Sequence, residues 1–232
     1  MASEGPYRLA PAQVDTPLPD IEDQGGGDYN IWYNHKVGKR KRSAPERGVA
    51  ARTRCKPLEH EGLTKGNSRS DICLFFARGA CHLGHRCSRR HRLPNFDDEQ
   101  AVEIQRDVFG RTRESTEGDD HNGPGSILKE NKSLFVGNVS PSVSEAVLRS
   151  TFAVFGPIAS IRYICAKQIA FIQFQWRVSA EFSKEAMSQQ VVEKAVVSVR
   201  WAKEDPNPRR IAALAAEKRA RVLRAVEETA PV

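Results

Sequence analysis

The chain has 232 residues, with 36 Lys and Arg against 29 Asp and Glu, a net charge of +7 and a sequence pI near 9.3. That length permits one large or two small domains, and the basic balance points to a polyanionic partner. No apolar run is long enough to span a bilayer, no signal-peptide pattern opens the chain, and the five cysteines do not form a secreted disulfide framework, so a reducing compartment is expected.

Residues 1–27 read as a disordered tail, with Pro6, Pro11, Pro17 and Pro19, the acids Asp15, Asp20, Glu22 and Asp23, and a run of three glycines at 25–27. Residues 28–70 form an aromatic and basic segment. Tyr29, Ile31, Trp32 and Tyr33 are followed by Lys36, Lys39, Arg40, Lys41 and Arg42. The aromatic cluster either docks on a neighbouring module or stacks bases. The basic run suits a nuclear address, a phosphate clamp, or both. Cys55 reads as a small buried hydrophobe.

Residues 71–94 carry the most specific signal. Cys73, Cys81, Cys87 and His91 have the spacing C-x7-C-x5-C-x3-H. Three thiolates and one imidazole make the closed tetrahedral set of a structural zinc, with no position open for a hydrolytic water. Loops this short bury no core, so the metal must supply the folding energy, of order ~10–16 kcal/mol. Arg78, Arg86, Arg89, Arg90 and Arg92 lie between or beside the ligands with no acid among them, and Phe75 and Phe76 sit in the first loop. One ring is expected inside and one outside. Together, charge and ring suit RNA contact through Phe75, Arg78, Arg89 and Arg90.

Residues 95–131 read as a connector, with a short helix near its start and a polar stretch after Gly110. Residues 132–204 read as βαββαβ. LFVGNV (134–139) alternates as a strand, Ser142-x-x-Glu145 is a capping box, and Leu148, Phe152 and Phe155 share a helical face that Gly156-Pro157 ends. Strands follow at 158–166 and 168–174, a second helix at 179–189 and a fourth strand at 196–202. Residues 205–232 begin with Asp-Pro-Asn-Pro and continue as a basic, alanine-rich helix.

The element order and the strands LFVGNV and KQIAFIQF resemble the RRM family, with Lys167, Ala170, Phe171, Ile172 and Phe174 on its first RNP motif. The resemblance implies an RNA-facing sheet carrying Phe135, Lys167 and Phe171, with Ile169 where the family has another ring. The expected fold class is α+β: an RRM, with an antiparallel four-stranded sheet and two helices, plus a small irregular CCCH module.

The ordered set Tyr29-Asn30-Ile31-Trp32-Tyr33-Asn34, Thr53-Arg54-Cys55, the finger, Asp107-Val108-Phe109-Gly110-Arg111, GPGSILKENKSLFVGNV and VRWAKEDPNP resembles one family over about residues 28–208. It is the spliceosomal RNA-binding factor of the NineTeen complex, the Cwc-two/Cwf-two type. His35-Lys36 stands where that family has Lys-Trp. The resemblance implies a torus packed around the finger and RNA contacts through Tyr29, Trp32, Tyr33, Lys39 and Arg40. It also implies a nuclear location, U6 snRNA and pre-mRNA intron as RNA partners, and NineTeen-complex proteins as protein partners. The alternative is a protein-binding RRM adaptor in which the finger alone touches RNA. An enzyme is not expected, since no structured carboxylate pair, activated nucleophile or open metal site is legible.

Overall fold

Period-2 alternation drives the sheet. In the computed structural model, which describes residues 8–18, 29–30, 35–36, 49–113, 123–127 and 131–203, β1 (Tyr29–Asn30) pairs with β2 (His35–Lys36), and strands β3 (Ser133–Gly137), β4 (Ile158–Ile164), β5 (Ile169–Phe174) and β8 (Ser198–Trp201) form one antiparallel sheet in the order β4-β5-β3-β8. Leu134, Val136, Ala170, Ile172, Phe174, Val199 and Trp201 point inward and are buried, while Phe135 and Phe171 sit on the opposite face. Helices α4 (Glu145–Ala153) and α5 (Arg177–Met187) cover the inner face. A two-residue hairpin, β6 (Val191–Val192) with β7 (Ala195–Val196), precedes β8.

β4 ends at Ile164, with Cys165–Lys167 in a 3-10 turn, Val196 belongs to the hairpin and not to the fourth strand, and both helix starts differ from the sequence expectation. The N-cap of α4 is Ser144, whose side chain accepts from the Val147 N–H at 3.3 Å, and not Ser142. Ser142 is instead held in the preceding turn by the Ser140 hydroxyl. Helix α5 starts two residues before Ser179, at Arg177. Gly156, at φ +149°, ends α4 where a Cβ would fall 2.2 Å from the Ser179 hydroxyl, so only glycine lets α4 close onto α5.

The CCCH region is built from short pieces: α1 (Pro57–His60), α2 (Leu74–Ala77) and a 3-10 turn at Gly84–Arg86. Isolated backbone bridges tie Leu9 to Leu63, Gly62 to His91 and Ile72 to Arg90. Residues 8–18 therefore correct the expected tail. The Ala10 N–H donates to Leu63 O and the Leu63 N–H to Arg8 O, and Ala10 is buried. The Gln13 amide donates to Phe76 O and accepts from the Cys81 N–H. These paired backbone groups outweigh the prolines that made the segment look unfoldable.

The connector opens with the short helix expected there, but its remainder up to Arg113 is packed and not merely a polar linker. Helix α3 (Phe96–Ala101) opens with a capping box between Asn95 and Asp98. Beyond it the Asp107 carboxylate accepts from the Phe109 and Arg111 N–H groups and from Arg111 Nε, closing a tight turn that buries Val108 and Phe109.

Finger and RRM meet on α5, every residue of which is buried. Phe182 lies 6.0 Å from the Phe76 ring of α2, 6.1 Å from Phe109 and 5.8 Å from Phe155. Around this aromatic contact Glu181 accepts from Arg113 at 2.6 Å, from Arg177 at 3.1 Å and from the Val108 N–H at 2.9 Å. Glu185 accepts from Arg78 at 2.8 Å, Arg111 at 2.9 Å and Lys184 at 2.9 Å. Burial alone would raise the Glu185 carboxyl, but Arg111, Lys184 and Arg78 hold it well below the usual carboxylate range. Residues 51–53 strap the same seam: the Ala51 N–H donates to Gln189 O, the Thr53 hydroxyl to Arg78 O, and the Gln190 amide to Thr53 O.

Candidate metal centre and nucleic-acid interface

Cys73 caps α2, its sulfur accepting from the Phe76 N–H at 3.4 Å; Cys87 ends the 3-10 turn, its sulfur accepting from the Arg89 N–H at 3.5 Å. Cys81 lies between them under Gln13, and His91 follows the strand-like Ile72–Arg90 bridge. All four side chains are buried, and their ligand atoms lie within 4.8 Å of one another. A tetrahedral site with metal–sulfur bonds of about 2.3 Å needs sulfurs about 3.8 Å apart, so the cluster can close on one ion with small shifts. Both ring nitrogens of His91 are buried without a hydrogen-bond partner, and a bound cation would take one of them. The crowded thiols fit the same reading. Hydrogen bonds to Cys81 and Cys87 push the Cys73 thiol far up, and its neighbours pull Cys87 far down. Three sulfurs this close cannot all ionise unless a cation joins them. The His91 ring is fixed by a parallel stack on Phe76 at 5.0 Å and 12°.

Cys55 is buried outside this set, its thiol pushed up to about 12 by burial and then by Glu61. It packs as the small hydrophobe its sequence context suggested.

The arginines divide. Arg89 is half-buried on the surface beside exposed Arg86, Lys65 and His85, brought together by the Lys65 N–H on His85 O and the Thr64 hydroxyl on Arg89 O. Arg78 does not belong to that face: its Nε and Nη2 both reach Glu185 across the seam. Nor does Arg90, held by Ser70 O and by Asp98 at 3.0 Å. Phe76 is fully buried, while Phe75, expected outside, is half-buried and packed against the core. Tyr29 and Asn30 pair antiparallel with Lys36 and His35 through the backbone; Trp32, Tyr33, Lys39 and Arg40 lie outside the described residues.

On the open sheet face, one register row reads Arg162, Phe171, Phe135, Arg200 across β4, β5, β3 and β8. The two phenylalanines meet edge to face at 5.7 Å, and the Arg200 guanidinium lies 5.7 Å from the Phe135 ring centre. Gly137 makes room for this: a Cβ there would stand 2.9 Å from the Phe135 ring. Half-buried Ile169 lies opposite Gly137 at the next rung of this face, whereas exposed Lys167 stands outside the ladder, in the 3-10 turn Cys165–Lys167 before β5. The row offers flat rings for bases with a cation at each end for phosphates. Strand alternation already phases Arg162 and Arg200 with the rings, a signal the sequence reading passed over. Lys65 and His85 carried no such signal, because their meeting depends on pairing between distant loops.

Residues 6–111 match the Torus domain family and residues 134–198 the RNA recognition motif family. A "Pre-mRNA-splicing factor cwc2" of Dictyostelium discoideum is 37% identical over 207 residues, covering 88% of this chain and 38% of that protein. A "Pre-mRNA-splicing factor CWC2" of Debaryomyces hansenii is 38% identical over 205 residues, 88% of this chain and 59% of that protein. The chain belongs to the Cwc2/Cwf2 family. A third member, "Pre-mRNA-splicing factor cwf2" of Schizosaccharomyces pombe, is 37% identical over 84% of this chain and 52% of its own. The chain thus spans from 38% to 59% of the length of these Cwc2/Cwf2 relatives. The Torus match contains all four Cys/His residues as well as the N-terminal segment that packs on them, so the family unit and the packed unit coincide there.

Proposed function

We propose that this chain is a non-catalytic, nuclear pre-mRNA-splicing factor that binds RNA, with U6 snRNA and the pre-mRNA intron as its RNA partners and NineTeen-complex proteins as its protein partners. The observation that carries the RNA reading is the register row Arg162, Phe171, Phe135, Arg200 on the open sheet face. It pairs stacking surface with positive charge, the combination single-stranded RNA needs. The half-buried Arg89 and its neighbours Arg86, Lys65 and His85 supply a second basic surface on the finger. The metal is zinc on this reading, since three thiolates and an imidazole in a buried, closed set suit a redox-inert tetrahedral ion. Its part is structural: it holds Cys73, Cys81, Cys87 and His91 and leaves no coordination position for a substrate.

Site-mapped protein–RNA crosslinking in isolated spliceosomes tests the assignment. Crosslinks from Phe135, Phe171 and the Lys65/Arg89 face to U6 snRNA or intron are expected. Crosslinks from the finger alone, with the sheet joined to protein, would replace this reading by that of an adaptor. Elemental analysis of protein purified without chelator should return one zinc per chain.

A further inference from the structure

One rung from the Phe171–Phe135 row, the open sheet face turns polar. Ser160, Gln173 and Ser133 stand opposite one another on β4, β5 and β3. Gln173 follows Phe171 by two residues on β5, so the two side chains leave the same face about 6.5 Å apart at the backbone.

The register shows how Ser160 comes to meet Gln173. Ile158 opposes Phe174, yet the next pair along β4 is Ser160 with Gln173, so Ala159 is an extra residue and the strand bulges there. In an unbroken ladder Ala159 would oppose Gln173, and Ser160 would join the inward set. On either side of the bulge that inward set is intact. Ile158 opposes buried Phe174, Ile161 opposes buried Ile172, and both isoleucines pack on the core. The inserted residue thus leaves the core unchanged and brings a hydroxyl, in place of a methyl, to the open face.

That hydroxyl has a use. Ser160 Oγ donates to Gln173 Oε1 at 3.1 Å. Ser160 is exposed and Gln173 half-buried, so burial does not demand the bond. A glutamine on a sheet surface samples several rotamers and loses that freedom when it binds. Gln173 is already anchored through its oxygen, and among the described residues no hydrogen bond engages its Nε2. The two N–H donors of that nitrogen face an acceptor from outside the chain.

We infer that Gln173, oriented by Ser160, reads the edge of a base stacked on Phe171, with Nε2 donating to a ring nitrogen or carbonyl oxygen of that base. The inference rests on the RNA-binding sheet proposed above and adds the source of its base preference. Rings and arginines hold any single strand, whereas a fixed amide favours the edges that meet it with an acceptor.

The test measures the affinity of the full chain for heptamers of uridine, cytidine and adenosine, and takes the ratio of the tightest to the weakest. Gln173→Leu, close in size but without hydrogen-bonding groups, should lower that ratio about three- to tenfold, the worth of one hydrogen bond, with the salt slope unchanged. Ser160→Ala should lower the ratio by less, and Ser160→Thr, which keeps the hydroxyl, should restore it. Phe171→Ala should weaken all three oligomers. A Phe171→Ala loss with the ratio unmoved in Gln173→Leu would leave the RNA-binding sheet standing and overturn the base-reading role. No change in either variant would remove the sheet reading and this inference with it.

Discussion

Replacing Phe182 by alanine tests whether finger and RRM are one folding unit. Phe182 is fully buried, and its ring meets Phe76 of the finger, Phe109 of the 107–111 turn and Phe155 beyond α4. A buried Phe→Ala change costs about 3–5 kcal/mol. Three ring contacts within 6.1 Å, each worth about 0.5–1.5 kcal/mol beyond area, put this site in the upper half of that range. A loss of about 4 kcal/mol is nearly three decades in the unfolding equilibrium. The Phe76 ring also stacks on the ligand His91, so the loss should reach the metal site. The assay is urea unfolding of the cobalt-substituted chain, followed by thiolate–metal absorbance for the finger and tryptophan fluorescence for the RRM. Both midpoints should fall together and remain coincident. A loss below about 1 kcal/mol, or an RRM midpoint that moves while the metal signal stays in place, would refute the reasoning, because a filled core site cannot lose that ring so cheaply.

The other expectations are narrower. Arg78→Ala should cost about 1.5–3 kcal/mol of stability, less than full orphaning of a buried carboxylate because Arg111 and Lys184 remain, and leave the salt dependence of RNA affinity unchanged. Arg86→Ala, at an exposed position of the same finger face, should do the opposite, keeping stability within about 0.5 kcal/mol and making the log–log salt slope shallower by about 0.7. The depressed Glu185 carboxyl contributes stability that is present above the ordinary glutamate value of about 4.3 and is lost as pH falls toward its folded value. Urea midpoints taken from pH 6 down to pH 3 should therefore fall less steeply in Glu185→Gln, and an identical acid limb would remove the linkage. Lys194, at φ +100° in the β6–β7 turn, should gain about 0.5–1 kcal/mol on change to glycine, read as a raised melting temperature.

Much of this molecule was legible because local rules and global fold agree. The Cys3His cluster declares itself by spacing, and alternation in LFVGNV and QIAFIQF sets the two central strands and their rings. What was not legible depends on partners far along the chain. A run of arginines looks the same whether its counter-charge is a phosphate or Glu185, so Arg78 read as an open cation until α5 was placed beside it. Helix α5 itself carries polar residues of the kind that normally face water, yet Glu181 and Glu185 are buried against the finger side and Lys184 is buried between Glu185 and the Trp201 ring. Residues 8–18 looked unfoldable because their pairing groups, at 63 and 81, are not local.

Because α5 underlies the finger, the order of synthesis matters. Arg78 leaves the ribosome 107 residues before Glu185, its partner. At about 5–20 residues per second, the half-built torus waits roughly 5–20 s for its floor. Through that interval Cys73, Cys81 and Cys87 have emerged while Phe182, which later supports Phe76, has not. A newborn chain is thus most open to oxidation, or to capture of the wrong metal, before α5 arrives. Early metal uptake then becomes a matter of timing during translation as much as of affinity.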